Sequence, residues 1–115
     1  MSVALPLTIA RLTKLSGATP RALRHYESLG LLDPRRTRNG TRLYTPFDCD
    51  RAVQIAYLRR FDLPLSVIQK LLDADVGPEA RAASIRKALE AQLHKLEGQI
   101  PRIRAALGYA ESAEA

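Results

Sequence analysis

At 115 residues the chain is long enough to bury one core and too short for two independent domains, and 46% hydrophobic residues with no low-complexity tract exclude wholesale disorder. The single Cys49 excludes an internal disulfide and a thiolate metal cluster. The net charge of +6 is uneven, with eleven Lys and Arg against four Asp and Glu in residues 1–60 and seven against eight in residues 61–115, so a polyanion, either nucleic acid or an anionic membrane surface, is the natural partner of the first half.

No stretch has the length and apolarity of a membrane span, and the N-terminus lacks the basic-then-apolar pattern of a secretory signal, so a cytoplasmic protein is expected. Catalysis is not expected. The chain has no defensible Ser/His/Asp or Cys/His arrangement, no glycine-rich phosphate loop and no paired carboxylates, and no cofactor or metal is expected either. His94 is a single histidine on a polar helix face, and metal ligands come in clusters.

Four short helices, one hairpin and a long terminal helix are predicted. Thr8 caps a first helix in which Ile9, Leu12 and Leu15 fall at helical spacing, and Ser16-Gly17 ends it. Thr19 caps the second, with Pro20 at the first helical position, where its missing N–H costs nothing, and Gly30 closing it. Ala22, Leu23, Tyr26 and Leu29 form its inward stripe and leave Arg21, Arg24, His25 and Ser28 outside. Two short helices around a glycine turn make a helix-turn-helix, and donors on the outer face of the second are what a major groove requires. Alone, such a face is also an ordinary solvated surface.

Downstream, Arg35, Arg36 and Arg38 lead into Asn39-Gly40 and then Thr41-Arg42-Leu43-Tyr44. The pattern predicts a hairpin with a two-residue turn at Asn39-Gly40, whose arginines either track a nucleic-acid backbone or protect an exposed edge strand. Thr45-Pro46-Phe47-Asp48 starts a third helix with a capping box, and Ala52, Ile55 and Leu58 are its buried seam. A fourth helix carries Ile68, Leu71 and Leu72 inward. Arg59 and Arg60 fit either phosphate contacts or the dipole at a helix end.

From Pro78 onward Ile85, Leu89, Leu93, Leu96, Ile100, Ile103 and Leu107 recur at coiled-coil spacing. A helix of this length extends roughly 40 Å at about 1.5 Å per residue, and its stripe needs cover from a second copy or from the chain's own head. Gly98 and Pro101 predict a kink.

The run from Thr8 to Leu72 resembles the MerR family of bacterial regulators. The resemblance is carried by Thr8-Ile9-Ala10-Arg11-Leu12, by the run from Thr19 to Glu27, by Leu29-Gly30-Leu31-Leu32 and by the hairpin from Arg36 to Tyr44, with Asp48, Ile55 and Ile68 at family positions. It implies a mainly α fold with a winged helix-turn-helix head of four helices and a two-stranded β-hairpin wing over residues 1–76; the apolar stripe adds a coiled-coil dimerisation helix over 77–108, and the last residues, 109–115, are expected to fray. It implies a transcription regulator that grips a pseudo-palindromic promoter as a homodimer and bends or untwists the DNA for RNA polymerase.

The DNA-binding set implied is Thr19, Arg21, Arg24, His25 and Tyr26 on the second helix, with Arg36, Arg38, Asn39, Gly40, Arg42 and Tyr44 on the wing. Partners are then double-stranded promoter DNA, a second copy and polymerase, in the cytoplasm at the nucleoid. The chain departs from the family pattern at His25, where tyrosine is common, at Thr41, where an aromatic is frequent, and at Asp62, where glycine is frequent. Alternative readings are a protein-interaction module of the chaperone-modulator type and a phage-like architectural or excision factor; an intact arginine hairpin favours promoter binding over the first.

Overall fold

The computed structural model describes residues 7–114, so residues 1–6 of the expected head and Ala115 of the expected tail lie outside the described residues. The described chain forms two compact units that divide between Asp73 and Ala74.

In the first unit, α1 (Ile9–Ser16) begins where the Thr8 hydroxyl accepts a hydrogen bond from the Arg11 amide at 3.3 Å, and it ends at Gly17 with φ 79°, a left-handed conformation that suits a residue without Cβ. α2 (Pro20–Ser28) is capped by Thr19, whose Oγ1 accepts from the Ala22 amide at 3.1 Å. β1 (Arg35–Arg36) and β2 (Arg42–Leu43) pair antiparallel, with Arg35 opposite Leu43 and Arg36 opposite Arg42. Leu7 extends the pairing through two backbone bonds with Tyr44, at 2.6 and 2.7 Å.

α3 (Pro46–Arg59) starts with the expected capping box: the Asp48 amide donates to Thr45 Oγ1 at 3.1 Å, and the Thr45 amide donates back to Asp48 Oδ2 at 3.0 Å. It is the hub of the unit, packing on both α1 and α4 (Leu65–Asp73). Leu12, Leu23, Ala52, Ile55, Ile68 and Leu72 meet at the centre, each 0–1% exposed. Burial of each large aliphatic side chain stabilises the head by about 1.5–3 kcal/mol relative to leaving it in water. Arg51 ties α3 to the end of α4, donating to Asp73 Oδ1 and to the Leu72 carbonyl, both at 2.7 Å, while its guanidinium lies 5.3 Å from the Phe47 ring centre.

The hairpin turn differs from expectation. The Gly40 amide bonds the Thr37 carbonyl and the Thr37 amide bonds the Thr41 carbonyl, both at 2.9 Å, so Arg38, Asn39 and Gly40 form a three-residue loop. Within this loop only Gly40 has positive φ, at 82°, where the two-residue turn needs it at Asn39 as well. Pairing of Thr37 with Thr41 sets this register, and the Thr41 amide adds a bond to Thr37 Oγ1 at 3.2 Å.

Leu29, expected inside, is 37% exposed. It is the C-cap of α2, one residue past the helical stripe, and Leu31 and Leu32, both 2% exposed, fill the core in its place. Ala22 and Leu71 are half-buried.

The turn from α3 to α4 places Asp62 at φ 61°, a left-handed conformation that glycine adopts at less cost, at the position where the resemblance leads glycine to be expected. Asp62→Gly is therefore expected to raise head stability by up to about 1 kcal/mol and the unfolding midpoint by a few degrees. A lower midpoint would show that the aspartate side chain contributes more than the left-handed backbone costs.

The second unit consists chiefly of α5 (Pro78–Glu114). It continues past Leu107 through the stretch expected to fray, and Pro101 lies inside it, removing one backbone rung. Leu93, Leu96, Ile100, Ile103 and Leu107 are 43–59% exposed, while Ile85 and Leu89 are half-buried. No helix among the described residues is long and apolar enough to cross a membrane. The mainly helical fold, four helices with a two-stranded hairpin followed by one long helix, is the one expected.

Candidate nucleic-acid interface

Amphipathicity of α2 sets the first half of the site. Leu23 and Tyr26 turn into the core, and the opposite face presents Arg21, Arg24, His25 and Ser28 to solvent. The Ser28 hydroxyl donates to the His25 carbonyl at 2.6 Å, a local bond near the end of the helix. Among the described residues no salt bridge engages Arg21, Arg24 or Arg38, so these cations face water without a counter-charge. Cationic donors along one exposed helix face can serve base edges and phosphates alike.

The wing supplies the second half. Arg38 and Asn39 stand exposed at its tip, with Gly40 closing the turn beside them. Arg36 and Arg42 behave differently from the free cations expected. Both turn to Glu27 on α2: Arg36 Nη2 donates to Oε1 at 3.3 Å, and Arg42 Nε donates to Oε2 at 2.6 Å. Arg36 Nη1 also donates to the Gly40 carbonyl at 3.0 Å, bracing the loop from below. Wing and helix are thus joined by a carboxylate that the sequence reading did not single out.

Two expected contact residues lie in the core. Tyr44 is 0% exposed and Tyr26 is 6% exposed, so neither ring is offered to a ligand in this structure. Tyr44 sits between the wing and the capping box of α3, and its pairing with Leu7 turns the side chain inward; Tyr26 belongs to the apolar stripe of α2. Burial, reinforced by Glu27, pushes the Tyr44 phenol up against the opposing pull of Arg42, and burial does the same for Tyr26 against Arg59. Thr19 is exposed, but its hydroxyl oxygen is engaged as the α2 cap.

The Tyr44 hydroxyl is buried without a hydrogen-bond partner in the protein. Tyr44→Phe is accordingly expected to leave DNA affinity unchanged and stability unchanged or raised by about 1 kcal/mol, because it deletes an unsatisfied buried polar group. A loss of affinity with stability intact would return Tyr44 to the contact set; thermal melts and a DNA titration check both.

Cys49 is buried, and burial, with Asp50 adding to it, pushes its thiol up against the pull of Arg11, the opposite of the shift that activates a thiolate. Among the described residues no group of three or more His, Cys, Asp or Glu could hold a metal ion. Arg59, read as either a phosphate contact or a helix-end charge, donates to the Leu63 carbonyl at 2.8 Å and braces the turn into α4.

Two family models match the chain, the MerR HTH family regulatory protein over residues 7–75 and MerR, DNA binding, over residues 50–108. It is 39% identical over 89 residues to the HTH-type transcriptional regulator SkgA of Caulobacter vibrioides, covering 74% of this chain and 35% of SkgA. It is 30% identical over 98 residues to the HTH-type transcriptional regulator ZntR of Escherichia coli, covering 84% of this chain and 70% of ZntR. A crystal structure of a MerR-family transcriptional regulator from Bacillus cereus superposes with a TM-score of 0.66 at 29% identity, over 94% of this chain and 79% of that one. The chain thus spans about a third of the length of SkgA and more than two thirds of ZntR.

Proposed function

The chain belongs to the MerR family of helix-turn-helix regulatory proteins, and from that premise we propose that it is a transcription regulator that binds double-stranded promoter DNA in a sequence-specific way. The observation that carries this reading is the pairing of an unneutralised cationic face on α2 with an arginine-tipped wing braced against the same helix. Glu27 links the two elements, and each carries exposed cations, the helix suited to the major groove and the tip to the flanking backbone.

α2 enters the groove, with Arg21, Arg24 and His25 toward base edges and phosphates, while Arg38 and Asn39 hold the strand beside it. Two copies joined through Ile85, Leu89, Leu93, Leu96, Ile100, Ile103 and Leu107 bind the halves of a pseudo-palindrome. A dimer of this kind bends or untwists the promoter to change how RNA polymerase engages it. Such deformation costs several kcal/mol, and contacts at both half-sites offset it. The place of action is the nucleoid in the cytoplasm. A protein-docking role would leave the cationic wing tip without a purpose, so DNA is preferred.

Base and backbone roles separate by substitution. Arg24→Ala is expected to relax sequence preference, costing about 1–3 kcal/mol on the preferred duplex and little on others. Arg38→Ala is expected to weaken all duplexes alike and to lower the salt slope by about one. Titrations of labelled duplexes across a salt series read both. Identical behaviour of the two variants would collapse the distinction, and undiminished binding by both would remove this surface from the interface.

A further inference from the structure

The register of the wing poses an electrostatic problem that one residue solves. Arg36 and Arg42 face each other directly across the two strands, and like charges in that position push a hairpin apart. Strands of two residues, even with the Thr37–Thr41 pairing at the turn and the Leu7–Tyr44 bridge at the base, make a ribbon that is only marginally stable without packing. Glu27, with its side chain 20% exposed, reaches from α2 and takes one guanidinium on each carboxylate oxygen. The Arg42 contact engages Nε alone, which leaves the Nη groups of a fixed guanidinium for another acceptor.

We infer that Glu27 is a positioning residue for DNA binding, a carboxylate that makes the wing and α2 a single rigid reading head and aims the free edge of Arg42 at a phosphate. The inference rests on the DNA-binding reading and adds a residue whose charge is of the wrong sign for a direct contact with DNA. That sign makes it testable. If Glu27 were merely an acid beside a polyanion, neutralising it would tighten DNA binding by removing repulsion. If it positions the wing, neutralising it weakens binding even as the protein becomes more cationic.

The experiment compares the full chain with Glu27→Gln and Glu27→Asp. Binding to short random-sequence duplexes is measured at fixed salt, and amide exchange is followed at Thr37 and Gly40, whose N–H groups hold the hairpin turn. Glu27→Gln is expected to weaken binding about tenfold and to speed exchange at both amides by a similar factor, the scale typical of coupling between contacting groups. Glu27→Asp keeps the charge but is one methylene too short to span both arginines, so it too is expected to weaken binding.

Unchanged or tighter binding by Glu27→Gln overturns the positioning role, whatever the exchange rates do. Unchanged exchange overturns the clamp itself. Should the unsubstituted chain fail to bind duplex DNA, the functional reading falls, while the exchange rates still decide whether Glu27 fixes the wing. Circular dichroism of both variants checks that the head remains folded; if Glu27→Gln is unfolded, Glu27→Asp decides alone, weaker binding supporting the positioning role and unchanged binding overturning it.

Discussion

Leu96→Asp or Ile100→Asp is expected to separate the proposed dimer and, with it, to abolish tight promoter binding. Leu96 is 43% exposed and Ile100 48% exposed in the single chain, in the middle of an apolar stripe on α5 that is costly to leave in water. Because each substitution enters a two-fold interface twice, loss of the buried side chains and placement of two carboxylates in the seam cost at least about 4 kcal/mol, roughly a thousandfold in the dimer dissociation constant. Sedimentation equilibrium measures this directly. The head has its own core, so the helical signal and the melting of α1 to α4 are expected to persist while the mass halves. A mass that stays dimeric would place the interface elsewhere.

The second large effect is expected at Asp48. This carboxylate is 3% exposed and accepts the Thr45 amide at 3.0 Å and the Asp33 amide at 3.2 Å, so it fixes both the start of α3 and the chain leading into the wing. Asp48→Ala leaves two partly buried N–H groups without acceptors and breaks the capping box, a loss of about 3 kcal/mol. For a head of this size that corresponds to a fall of about 10–20 °C in the unfolding midpoint. Asp48→Asn retains one acceptor oxygen, and its loss is expected to be intermediate. Equal melting of Asp48→Ala and the unsubstituted chain would mean that the backbone holds this corner without the side chain.

Alkaline pH is expected to weaken the head as well. Tyr26, Tyr44 and Cys49 all have folded-state pKa values raised by burial, so their contribution is complete below the unfolded thiol value near 9.0 and is lost as pH rises through their folded values.

Local signals in the sequence were sufficient for the helix starts. Thr8, Thr19 and Thr45 each cap the helix that follows, and Pro20 and Pro46 occupy first-turn positions, because a cap is made within three residues of itself. Interior positions of α3 were legible for a related reason, since Ala52, Ile55 and Leu58 repeat at the helical period and all three are buried.

Features fixed across the chain were not legible in the same way. The hairpin register depends on Thr37 pairing with Thr41, a choice that the Asn39-Gly40 dipeptide does not determine. Glu27 lies 9 and 15 residues from the arginines that it binds, and only a known register shows that Arg36 and Arg42 face each other and need a counter-charge. Tyr26 carried its own warning: the stripe that places Leu23 inside also includes Tyr26, so it could not be both core and contact. For Tyr44 the decisive partner is Leu7, whose bridge lies 37 positions upstream and turns the ring inward.

The most direct measurement of the central claim is binding of the purified chain to a duplex selected from a random-sequence pool, compared with a scrambled duplex of the same composition, between about 50 and 200 mM salt, where counterion release changes affinity strongly. The predicted result is binding to the selected duplex at least about a thousandfold tighter than to the scrambled one, with a steep salt dependence on both. Equal, weak binding to the two, or no enrichment from the pool, would contradict a sequence-specific regulator and leave the basic face of α2 and its wing without the partner proposed for them.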